Sequence, residues 1–218
     1  MTASARAAGG ATMTDADTPR KAGWTTVWDP LIRVGHWVLL AAVATALITR
    51  GEPELLHQAA GYVIAAYVVW RIVWGIAGPP NARFEGFLQS PIAAARYVID
   101  LIRGKAQRHV GHSPAGGWMV LALLIALSGT VMTGLAMENR VAPPALLAPL
   151  ISQDADEVYE SGRAGEEEES PWEEIHEALA NLVLALALLH VVGVAAASIA
   201  HRENLVRAMV DGKKRTEE

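Results

Sequence analysis

Four stretches of this chain are each long and apolar enough to cross a bilayer, and the charge is confined to the segments between them. They lie at about 32–50, 55–77, 117–137 and 177–200. Hydrophobic residues make up 52% of the 218, and a soluble domain would spread them more evenly. In lipid every backbone polar group must find its partner within the protein, so the spans must be helices. The expected fold class is therefore all-α integral membrane, a four-transmembrane-helix bundle. Residues 1–22 read as a disordered cytoplasmic tail, 23–210 as the membrane domain and 211–218 as a short basic and acidic tail. The first span starts too late, and is too long and aromatic, for a cleaved signal peptide.

The net charge of −5 hides a segregation of sign. Arg6, Arg20, Lys21 and Arg33 precede or open span one. Arg83, Arg96, Arg103, Lys105 and Arg108 lie between spans two and three, and Arg202, Arg207, Lys213, Lys214 and Arg215 follow span four. The other side has only Arg50, Arg140 and Arg163. The positive-inside rule then puts both termini and the middle loop in the cytoplasm. The loop from Glu138 to Glu174 falls outside and carries eleven acidic residues, Glu166 to Glu169 among them. A solvated loop is the plainer reading of that run; a docking patch for a basic partner is the sharper one. Within the middle loop, residues 91–104 predict an interfacial helix. Ser90 caps it, Pro91 suits its first turn, and Ile92, Ala95, Ile99 and Ile102 share one face.

Ionisable residues inside a span point to function. His176 and His190 both lie on span four, fourteen residues apart. On a helix that spacing is about 21 Å along the axis and only about 40° around it. His176 falls near the outer face and His190 near the inner. Depth then pairs His36 of span one with His190, and His57 of span two with His176. A bis-histidine pair on facing helices suits a b-type haem, with both axial positions filled, and favours electron transfer over oxygen binding. For any single histidine, hydrogen-bonded packing is the competing reading.

Zinc fits poorly. His176-Glu177 begins the H-E-x-x-H motif, but Ala180 stands where the second histidine is needed. The chain has no cysteine, which excludes disulfides, thiolate-held iron–sulfur clusters and covalent c-type haem. Gly35, Gly61, Gly129, Gly134 and Gly193 are candidates for making room beside a macrocycle, with ordinary helix packing as the alternative. Arg33, Arg50 and Arg71 are candidate propionate partners, or snorkel to headgroups. His109, His112 and His201 read as surface or interfacial residues, and the tryptophans at 28, 37, 74, 118 and 172 as aromatic belts.

Several segments together resemble the bacterial cytochrome b561 family, which includes the b-type cytochrome subunits of nickel–iron hydrogenases. They are Trp28-Asp29-Pro30 through Gly35-His36-Trp37, Leu56-His57-Gln58-Ala59-Ala60-Gly61-Tyr62, Arg71-Ile72-Val73-Trp74-Gly75, Gly111-His112-Ser113-Pro114, Thr133-Gly134, Ile175-His176-Glu177, His190-Val191-Val192-Gly193 and His201-Arg202-Glu203-Asn204. The resemblance implies a four-helix bundle with two b haems, whose axial ligands carry over onto His36, His57, His176 and His190. It also implies electron transfer between membrane quinone or quinol and a periplasmic redox protein, such as a c-type cytochrome or a hydrogenase. The long acidic outer loop departs from the family pattern. The expectation is a multi-pass protein of the bacterial inner membrane, an electron carrier and candidate quinone oxidoreductase. Its contacts would be lipid, quinone and that redox partner, with no nucleic acid. A haem-free proton-coupled transporter and a passive membrane anchor are the rival classes.

Overall fold

The computed structural model describes residues 23–50, 52–80, 82–138 and 171–215. The N-terminal tail, Arg140, Arg163 and the run Glu166 to Glu169 lie outside the described residues. The elements run β1 (Trp24–Thr26), α1 (Pro30–Thr49), α2 (Glu54–Ala77), α3 (Phe84–Phe87), α4 (Pro91–Ile102), α5 (Pro114–Glu138), α6 (Pro171–Ala200), α7 (Leu205–Asp211) and β2 (Lys213–Arg215). Among the described residues, the helices α1, α2, α5 and α6 are the four long and apolar enough to span a membrane.

Local chemistry sets their ends. Asp29 caps α1, its carboxylate accepting from the Leu31 amide at 2.7 Å, with Pro30 opening the first turn. Ser90 caps α4 in the same way, accepting from the Ala93 amide at 3.2 Å. Along the spans, hydroxyls bond back to their own helix: Thr45 to the Ala41 carbonyl, Ser128 to Leu124 and Thr130 to Ala126. Each of these polar groups is thereby satisfied without water, as a span requires.

The bundle has a buried layer at mid-height made of Ala42, Ile64, Val68, Ala126, Leu127 and Val183. Outward-facing side chains such as Ile48, Ile76, Val192 and Ile199 are exposed and apolar, the surface a lipid solvent favours. Helix α1 packs chiefly on α2, and α5 chiefly on α6. Helix α6 does not pack on α1 or α2 to any comparable extent. A seam wider than a packed helix interface therefore separates α6 from the α1–α2 pair.

Helix α4 turns Tyr97 inward and leaves Ile92, Ile99 and Ile102 exposed. That is the apolar face expected of an interfacial helix. Two features were not anticipated. Helix α7 follows span four, and Lys213–Arg215, expected in the terminal tail, pairs antiparallel with Trp24–Thr26. Gly212 makes this return with φ +79°; its carbonyl accepts from the Val27 and Trp28 amides at 2.9 and 3.3 Å. A β-carbon there would meet the Arg33 guanidinium at 3.1 Å. Arg33 itself donates to the Val210 carbonyl, tying the first turn of α1 to α7.

Candidate functional site

The four span histidines form two facing pairs. His36 on α1 and His190 on α6 have ring centroids 6.5 Å apart, and His57 on α2 and His176 on α6 are 6.2 Å apart. Metal–imidazole bonds run about 2 Å, and adding the half-width of each ring puts two trans imidazoles about 6 Å apart, centroid to centroid. Both pairs fit one metal held from opposite sides. Each pair bridges the wide seam, at opposite ends of the bundle, and the buried layer around Val183 lies midway between them.

Hydrogen bonds decide which nitrogen of the α2–α6 pair is available. His57 Nδ1 lies 3.2 Å from the Ala46 carbonyl, which can only accept, so Nδ1 carries the proton. The Thr49 hydroxyl, also 3.2 Å from that nitrogen, donates to the Thr45 carbonyl at 2.9 Å. His176 Nδ1 lies 3.0 Å from Thr133 Oγ1. The single Thr133 proton is directed at the Thr130 or Gly129 carbonyl, at 2.9 and 3.1 Å, so Thr133 accepts from His176. Both rings therefore keep a lone pair on Nε2. His36 and His190 differ: neither ring hydrogen-bonds to another described residue, and the Nδ1 of His36 is buried without a partner. Thr133 stood out only as part of the Thr133-Gly134 segment of the family resemblance, and Thr49 and the Ala46 carbonyl had no distinguishing sequence signal, since threonines in spans ordinarily bond their own helix.

A cavity of about 750 Å³ opens at the His57–His176 end, the size usual for a cofactor site. Gly61 and Arg50 line it, as does Tyr62, whose hydroxyl donates to the Glu138 carboxylate at 2.6 Å. A β-carbon on Gly61 or Gly193 would meet nothing within 4 Å, whereas one on Gly134 would touch His176. Two glycines serve packing instead. Gly35 admits Tyr67 and Trp70 of α2, and Gly129 admits Leu179 of α6.

Arg71 lies fourteen residues beyond His57 on α2, at the depth of the other pair. It is 3% exposed, stacks over Phe84 at 5.0 Å, and has a buried Nη1 without a partner among the described residues. The Arg33 Nε is likewise buried and unpartnered. Two orphaned guanidinium donors at one end call for an anion.

His112, read from its loop position as surface or interfacial, is enclosed by aromatic rings. It is wedged between Trp28, 4.7 Å away edge to face, and Phe87, at 4.3 Å. Burial among these rings, and then the charges of Arg71, Lys214 and His190, push its pKa down to about 4. Trp28, expected in an aromatic belt, is part of this enclosure. Lys214 lies over the Trp28 ring and near Glu203, and burial lowers its pKa despite that carboxylate. His201 meets the Tyr97 hydroxyl at 3.2 Å, and His109 stands edge-on to the Tyr97 ring.

A bundle of four apolar helices with histidines facing across its seam is an integral membrane protein of the paired-histidine helical class. The chain belongs to the prokaryotic cytochrome b561 family, whose sequence profile matches residues 27–212. It is thus a membrane b-type cytochrome of electron transfer, and b-type haem is the group its family binds. No curated protein and no solved structure matches the chain at a significant level.

Proposed function

We propose that the protein is a di-haem cytochrome b of the bacterial inner membrane, passing electrons between the quinone pool and a periplasmic redox protein. The observation that carries this reading is the pair of histidine pairs, 6.5 and 6.2 Å between centroids, at the two ends of one bundle. His36 with His190 holds one haem, and His57 with His176 the other. Each haem, when bound, supplies a one-electron iron couple. With two histidines facing it, each haem iron would have no open site for a small molecule, which would keep the site to electron transfer. Arg33 and Arg71 offer donors to propionates at the His36 end, and Arg50 does so at the other. Gly61 and Gly193 leave space beside the ligands. The buried apolar layer around Val183 lies between the two tiers.

The orientation follows from charge. The end carrying Arg33, α4, α7 and the paired strands is basic and cytoplasmic; the His57 end is periplasmic. The partner there is a c-type cytochrome or a hydrogenase-like protein, and quinone reaches the protein through the bilayer.

A pyridine haemochrome assay on the purified full chain should return two b haems per chain. His36→Ala and His190→Ala should each remove the same haem, and His57→Ala and His176→Ala the other. Well-folded protein without haem would overturn the reading in favour of a transporter or an anchor. Loss of one common haem in His190→Ala and His57→Ala would overturn the pairing.

A further inference from the structure

The two histidine pairs are built from the same residue type but not from the same environment. At the His57–His176 end both rings face acceptors, the Ala46 carbonyl for His57, and the Thr133 hydroxyl together with the Thr130 carbonyl for His176. At the other end neither ring makes such a bond to a described residue. An acceptor on the far nitrogen of a ligating imidazole fixes its tautomer and orientation and raises its basicity. A more basic ligand favours the more highly charged ferric iron, and so lowers the potential.

We propose that Thr133 is a positioning residue of the His57–His176 haem site. By accepting the Nδ1–H of His176 it presents Nε2 as the ligating nitrogen and holds this haem at a lower potential than its partner. The inference rests on the di-haem reading above. Thr133 is 5% exposed, and its own hydrogen bonds to α5 fix the lone pair it offers. On the His57 side the corresponding acceptor is a backbone carbonyl, which no substitution removes. Thr133 is thus the side chain through which the asymmetry can be changed. Gly134, next in sequence, leaves room for the ring, because a β-carbon there would come within 3.3 Å of His176 Cε1.

The test is a spectroelectrochemical titration of the full chain in detergent, with low-spin haem signals followed by electron paramagnetic resonance. His190→Ala, which retains only the His57–His176 haem, identifies that component. In the wild type it should be the lower of the two midpoints. Thr133→Val keeps the shape and removes the hydroxyl acceptor, leaving only the Thr130 carbonyl beside His176. It should raise that midpoint and move that resonance while leaving the other haem unchanged, and Thr133→Ser should restore both. Selective loss of that one haem in Thr133→Val, regained in Thr133→Ser, would equally support the role. Two bound haems with unmoved midpoints in Thr133→Val would overturn it, as would the reverse order of midpoints or loss of both haems together. A haem-free wild type would instead sink the di-haem reading itself.

Discussion

His57 and His176 show how much of a site is decided by neighbours rather than by the residue. Each imidazole has two nitrogens, and a backbone carbonyl or a threonine determines which one is left for a metal. Gly61 makes a complementary point, because its value lies in space. A methyl group at this position would meet no described protein atom within 4 Å, so Gly61→Ala should leave thermal stability unchanged, whereas Gly61→Phe should fill the cavity. On the di-haem reading, haem per chain should then fall from two to one in Gly61→Phe, and retention of both would show that the cavity is not the haem site. His112 bears on acid stability. Its pKa is lowered from 6.5 to about 4, so the unfolded chain takes up the proton first as pH falls. The stability this residue contributes is complete above pH 6.5 and is lost progressively toward pH 4. Thermal unfolding across that range should show a shallower acid decline in His112→Phe than in wild type; parallel curves would rule this contribution out.

Among the elements, the long helices and α4 were legible from local pattern. Hydrophobic length and Ser90-Pro91 act within a few residues of themselves, so their effects survive any tertiary arrangement. The strands β1 and β2 were not legible. Three residues each carry no periodicity, and their pairing joins positions nearly a chain length apart. The signal lay in Gly212, whose left-handed φ any other residue resists. Gly212→Ala should cost about 1–2 kcal/mol from the backbone alone. The close approach to Arg33 adds to that, and the C-terminal segment should become sensitive to protease. An unchanged cleavage pattern would mean that the ribbon does not hold the segment down.

For the whole molecule, the arrangement is two histidine tiers about 21 Å apart with an apolar layer between them, one helix contributing to both tiers. Span four is the shared post, and the wide seam beside it is where two more histidines come in from α1 and α2. The orientation proposed from charge puts the basic end in the cytoplasm. A fluorescent-protein fusion at the C-terminus should therefore fluoresce, and an alkaline phosphatase fusion in the 139–170 segment should be active; the opposite pair of results would invert the bundle. Depth could be read from sequence because helical rise is constant at about 1.5 Å per residue. Rotation about each helix axis could not, since it depends on which neighbours pack closely. That is why Gly35 and Gly129 were candidates for cofactor space yet hold aromatic and leucine side chains.

Four spans, the sidedness of charge and the heights of four histidines belong to the sequence alone, because hydrophobic length, charge and helical rise are local quantities. The tertiary structure alone decided that α6 stands apart from α1 and α2, that Thr133 meets His176, and that the C-terminal segment closes over Trp28 and His112. Each of those contacts joins residues distant along the chain, and only the packing of whole helices sets their distance and direction.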